Sequence, residues 1–224
     1  MALPVFFVLL AFNFASQAQT IEIGVRGTLN SNWLINKNIN NQGSEQTYAV
    51  SFGHSAGVMA GFLLTDHTEL AGEFHLNRTI QRYTGTTSGG VKYESENLLS
   101  TYEIPLMFRA VKPGIGYFEI GVQYSIVRSA SHENNLFPYL ANNGITTEDW
   151  ASANLAPVVG FGADIGLISH YLILNIGLRG SMGVFDMKGT DGLGVDLSDP
   201  STYPDYQRTN AASVGLVLGL STRL

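Results

Sequence analysis

The chain of 224 residues contains no cysteine, which excludes a disulfide, a thiolate metal site and a lipid-modified N-terminal cysteine. Charge is scarce as well: 13% of residues are Asp, Glu, Lys or Arg, against about 25% in ordinary soluble domains. The formal net charge is -6 and no Lys- or Arg-rich run occurs, so there is no electrostatic footprint for a nucleic-acid backbone and no nucleic-acid partner is expected. Beyond residue 19 no run approaches eighteen consecutive apolar residues, which excludes helical membrane spans. No phosphate loop, metal-ligand cluster or H-E-x-x-H is present. The histidines His54, His67, His75, His132 and His170 are scattered, and no cofactor is expected.

What is present begins with an apolar run over residues 2–12, followed by Ser16-Gln17-Ala18. That run is too short to cross about 30 Å of hydrocarbon as a helix, and it suits a secretory signal with cleavage after Ala18 and export by the Sec pathway. Residues 1–18 are therefore read as a signal peptide and 19–224 as one β-barrel domain. Its n-region lacks Lys and Arg, so the true start could lie upstream of Met1.

The remainder has a period of two. In residues 20–30 Ile21, Ile23, Val25 and Leu29 alternate with Glu22, Gly24, Arg26 and Thr28, as in a strand whose two sides meet different surroundings. The pattern recurs over residues 48–64, 69–83, 101–109, 118–126, 157–165, 171–182 and 213–223, giving eight segments. Short turns at Thr65-Asp66-His67, Lys112-Pro113-Gly114 and Ser169-His170 alternate with long polar stretches at 31–46, 85–92, 131–150 and 187–210. This combination predicts an eight-stranded antiparallel up-and-down transmembrane β-barrel with short periplasmic turns and long extracellular loops.

A soluble barrel has the same period but turns its grease inward. Here the polar face is mostly Gly, Ser, Thr and Asn, too small and sparsely charged to clothe a water-facing surface. The apolar face therefore points outward, to outer-membrane lipid and lipopolysaccharide. The lumen should hold Glu22, Arg26, Glu73, Glu103, Arg109, Glu119, Asp164, Arg179 and Arg223, read as a mutually neutralising plug, with an ion path as the alternative. Trp33, Tyr48, Tyr83, Tyr117, Phe118, Tyr171 and Phe185 are expected in aromatic belts at the two interfaces. Pro105, which has no N–H to give a ladder, is expected to mark a bulge or break in its strand.

Tyr102-Glu103-Ile104-Pro105-Leu106-Met107-Phe108-Arg109 resembles the Glu-Ile-Pro-Leu strand of the PorT-like outer-membrane β-barrel family of Bacteroidota. Tyr117-Phe118-Glu119-Ile120-Gly121-Val122-Gln123-Tyr124, Val159-Gly160-Phe161-Gly162 and the end from Gly215 to Leu224 are similar to its later strands. The resemblance implies an accessory role in a secretion or assembly complex, with a membrane-protein partner met through the extracellular loops. The chain closes on Leu224 where such barrels commonly end on an aromatic residue, and no appended peptidoglycan-binding domain of the OmpA type is expected. An interaction barrel without turnover is the reading favoured; a narrow pore and a lipid hydrolase are the alternatives. For a hydrolase the candidate groups are Ser131-His132-Glu133 and the pair His54-Ser55.

Overall fold

The structure is a computed structural model that describes residues 20–112, 115–136, 143–168 and 171–224. The proposed signal peptide and the turn residues Pro113, Gly114, Ser169 and His170 lie outside that set.

Eight long strands make one closed antiparallel sheet: β1 (Ile21–Asn36), β3 (Phe52–Thr65), β4 (Thr68–Thr86), β5 (Lys92–Lys112), β6 (Gly116–Asn134), β8 (Ala153–Ile168), β9 (Leu172–Met182) and β10 (Thr209–Arg223). Each pairs with its neighbours in sequence, and β1 pairs with β10 from Glu22↔Arg223 to Asn36↔Thr209, which closes the cylinder. Two short strands, β2 (Thr47–Ala49) on β4 and β7 (Gly144–Ile145) on β6, extend the wall at the long-loop end. A single helical turn, α1 (Lys37–Asn40), is capped by the Asn36 side chain, which accepts from the Asn38 N–H.

The alternation of the sequence becomes an inside and an outside. Leu29, Val58, Leu76, Leu106, Ile120, Val159, Leu178 and Leu218 are exposed on the outer wall, while Glu22, Arg26, Glu73, Arg109 and Glu119 are buried within. A globular protein in water would bury the first set. The wall is built for hydrocarbon.

Two features differ from the sequence expectation. Strands β4, β5 and β6 run well past the oil-facing region, so residues 85–92 are no long loop but the tip of a tall hairpin, turned by Thr87 and Gly90, the latter at φ +79°. The stretches read as loops from 31 and from 131 likewise begin as strand. Pro105 lies where the β4–β5 pairing is interrupted, between Gly72↔Leu106 and His75↔Glu103, while β5 itself runs on and keeps Pro105 opposite Gln123 of β6. The bulge in this part of the wall falls at Arg128, where Ser100↔Ser129 is followed by Thr101↔Val127. Tyr83 and Tyr117, finally, are not belt residues. Both side chains are buried inside the barrel, whereas Trp33, Phe118, Tyr171 and Phe185 are exposed as expected and Tyr48 is half-buried against Tyr83.

An arginine on the oil-facing wall tests this arrangement. Leu218→Arg, in the middle of β10, should destabilise the barrel in phosphatidylcholine vesicles by about 2–4 kcal/mol. The measurement is urea-induced unfolding followed by tryptophan fluorescence, and an unchanged midpoint would mean that this face does not meet lipid.

Candidate functional site: the lumen and its cover

Near the short-turn end, charged side chains from seven strands meet across the lumen. Arg109 (β5) donates to Glu69 (β4) at 2.7 Å and lies 3.4 Å from Asp164 (β8), 3.6 Å from Glu119 (β6) and 4.0 Å from Glu22 (β1). Its guanidinium also stands 4.1 Å from the centre of the Tyr117 ring, which explains why that tyrosine turns inward. Arg26 (β1) pairs with Glu73 (β4). Arg179 (β9) bridges Glu73 at 2.7 Å and Glu119 at 2.8 Å, and Arg223 (β10) reaches Glu22 at 2.9 Å. Ser221 donates to Glu22 and Asn175 donates to Asp164.

Eight of the nine sequence-predicted lumen residues therefore enter one ion-pair lattice. Glu103 stands apart: it lies near Arg179 and Gln123 and makes no ion pair among the described residues. Glu69 was missing from the predicted set, although it shares the inward parity of Glu73 and is fully buried. With it, five carboxylates of the lattice, Glu22, Glu69, Glu73, Glu119 and Asp164, face four guanidinium groups, an excess of one acid. His75 stands over this excess, its Nε2 2.8 Å from Glu73.

The side chains of Arg26, Arg109, Glu22, Glu69, Glu73 and Glu119 have 0% exposure. Glycine makes room for them: a Cβ on Gly160 would stand 2.6 Å from the Glu119 carboxylate.

Above the lattice lies a cavity of about 90 Å³ lined by short polar side chains including Thr28, Ser55, Asn77, Thr101, Ser125 and Ser181. In its wall Ser55 Oγ lies 3.2 Å from His75 Nδ1 and 2.8 Å from Thr28 Oγ1, so both ring nitrogens of His75 are engaged. The candidate hydrolase groups do not assemble. His54 points out of the barrel while Ser55 points in, and buried His132 bonds Asn97 at 2.6 Å on the face opposite exposed Glu133. Successive strand residues cannot share a face.

The long-loop end is covered by chain. Leu34, Leu99, Ala130, Trp150 and Met187 form an apolar roof over the cavity. A second cluster, Ile39, Tyr83, Leu197 and Tyr203, sits beside it and explains why Tyr83 leaves the interface. Three of these residues, Met187, Leu197 and Tyr203, belong to the segment from 183 to 208, which folds into the barrel mouth instead of standing free. It is tied there by Asn97, which donates to the Thr190 carbonyl at 2.7 Å and accepts from the Thr190 hydroxyl at 3.2 Å. Asp191 accepts from the Tyr203 hydroxyl and from the backbone N–H groups of Leu193 and Val195. Burial pushes the Asp191 carboxyl above its usual range, against the pull of these bonds. Burial and then the neighbouring Asp191 push the Tyr203 phenol up. Gly189, at φ +107°, lies flat beneath the Trp150 ring, whose atoms occupy the space a Cβ would need.

No family model and no curated protein matches this chain. Among solved structures it is similar to Neisserial surface protein A (10% identity, TM-score 0.40, covering 91% of this chain and 97% of that one). It is also similar to the outer membrane protein OprG from Pseudomonas aeruginosa (13%, 0.39, 92% and 95%) and to Ail, the attachment invasion locus protein of Yersinia pestis (9%, 0.40, 92% and 97%). Likeness at this level concerns architecture alone.

Removing one carboxylate from the lattice tests its structural weight. Glu73→Gln keeps the shape but leaves Arg26 and Arg179 short of an anion, and should cost about 3–5 kcal/mol in urea unfolding from vesicles. Glu94→Gln, on the exposed outer face, should leave the midpoint unchanged.

Proposed function

We propose that this chain is a non-enzymatic integral barrel of the bacterial outer membrane, exported by the Sec pathway, with a closed lumen and a folded extracellular cover that serves as a contact surface. The observation that carries the reading is the filling of the lumen at two levels: an ion-pair lattice with six fully buried side chains below and an apolar roof above, with a small polar cavity between them. A porin needs a continuous aqueous lumen, and an enzyme needs a substrate-sized pocket where nucleophile and base meet. The buried lattice lies across the lumen, Ser55, His75 and Glu73 meet only at the small cavity above it, and Ser131, His132 and Glu133, which line a wide cavity of about 1000 Å³ at the long-loop end, point to opposite faces of their strand. The cover is held by its own apolar clusters and by buried hydrogen bonds, so it offers a partner a preformed surface at little ordering cost. The resemblance to PorT-like barrels supports an accessory role beside a secretion or assembly complex in the same membrane, and the outer wall meets outer-membrane lipid and lipopolysaccharide.

Two measurements test this. In planar bilayers the protein should show no steady porin-scale conductance; large stable steps would overturn the closed reading. Replacing residues 189–206 by a Gly-Ser linker of equal length should leave insertion intact, read as heat-modifiable gel mobility, while abolishing co-purification of partners from native membranes. Unchanged complexes would remove the cover from the interface.

A further inference from the structure

The outer wall is uncharged except in one quadrant. On β1, β8, β9 and β10 no outward position carries Asp, Glu, Lys or Arg along the oil-facing length. On β3 to β6 the outward rows are also neutral from the short turns upward: Phe62 to Ala56, Leu70 to Leu76, Phe108 to Tyr102, Phe118 to Ile126. The next row up is different. Register places His54 opposite Arg78 and Arg78 opposite Ser100, and Arg128 fills the bulge beside Ser129, the partner of Ser100. His54, Arg78 and Arg128 are all exposed.

Two features mark this row as a site and not merely a solvated edge. First, its arginines have no anion of their own. Two outward rows higher, beyond Ile80 and Leu98, Arg82 is paired with Glu96 at 3.2 Å, but neither Arg78 nor Arg128 has a carboxylate within 4.0 Å among the described residues. Second, Arg128 is positioned. Its guanidinium carbon stands 4.7 Å from the centre of the Tyr102 ring, which packs on Phe74 with ring centres 5.5 Å apart. The backbone bulge and this aromatic shelf hold the cation just above the continuous neutral rows of the wall, with Phe52, Ile80 and Leu98 in the row beyond.

Height identifies the ligand. Ten residues separate Phe118 from Arg128, which at about 3.4 Å per residue and a tilt of about 40° is roughly 25 Å of vertical rise. That is the full thickness of an oil-facing band, so the guanidinium groups stand at headgroup level. Arg78 and Arg128 lie on strands two apart, about 10 Å between backbones, with the Ser100 hydroxyl between them. Two long arginine side chains on strands two apart, with a hydroxyl on the strand between, can reach one shared phosphate, and a phosphomonoester is the anion they would hold best.

We propose that Arg78 and Arg128, with Ser100 between them and His54 beside them, form a binding site for the phosphomonoester headgroup of an outer-leaflet lipid, whose acyl chains lie along Phe74, Leu76, Tyr102 and Ile126. This rests on the reading of the wall as membrane-embedded and of the long-loop end as extracellular, and it adds the lipid class and the place.

The test uses the full-length mature chain in detergent, titrated with phosphatidic acid or with phosphatidylcholine of the same acyl chains and read by native mass spectrometry. Phosphatidic acid should be retained about tenfold better than phosphatidylcholine, the preference should fall to near unity in the double variant Arg78→Gln/Arg128→Gln, and equimolar inorganic phosphate should not compete. Heat-modifiable mobility in phosphatidylcholine vesicles confirms that the variant folds. No preference in the unaltered protein, a preference surviving the double substitution, or equal competition by free phosphate would each overturn the proposal. Failure of the unaltered protein to insert into neutral phosphatidylcholine vesicles would instead overturn the membrane reading beneath it.

Discussion

Everything in this molecule depends on a closed circuit of backbone hydrogen bonds. In hydrocarbon an unpaired N–H or carbonyl finds no water to replace its partner, so a sheet with an edge cannot reside there. Here the circuit closes where the first strand meets the last, down to the reciprocal bonds between Ile21 and Leu224. Once the sheet is closed, every side chain faces either oil or a lumen of fixed, narrow width. The composition follows: bulky aliphatics outside, and Gly, Ser, Thr and Asn inside, where larger groups fit only if neighbours recede, as Gly160 does for Glu119.

The charged lattice is the second consequence of narrowness. Carboxylates and guanidinium groups removed from water lose several kcal/mol each, recovered only by close mutual contact. The seam between β1 and β10 shows how such contact is shared out, since Glu22 on one side meets Arg223 and Ser221 on the other. The lattice holds one more acid than arginines, and His75 lies between Glu73 and the polar cavity.

The eight strands and the orientation of their faces were legible in the sequence because the two sides of each strand meet opposite solvents within the membrane. Above the oil-facing region that contrast disappears. Along residues 92–99, inward Tyr93, Ser95, Asn97 and Leu99 alternate with outward Lys92, Glu94, Glu96 and Leu98, a mixture on both sides, and the upper halves of β4, β5 and β6 read as loops. Tyr83, Tyr117 and Glu69 were legible in a different way. Each has the parity of an inward neighbour, Gln81, Glu119 and Glu73 respectively, and parity is a better guide than residue type. The same rule separates His54 from Ser55 and His132 from Glu133. The folded cover was not legible, because Trp150, Met187, Leu197 and Tyr203 follow no period.

Tyr83, Leu99 and Asn97 belong to barrel strands yet form part of the apolar and hydrogen-bonded interior of the cover. Wall and cover thus share one core above the bilayer. The segment that fills the mouth is therefore not a hinged flap: to swing aside it would have to strip the inner faces of β4 and β5.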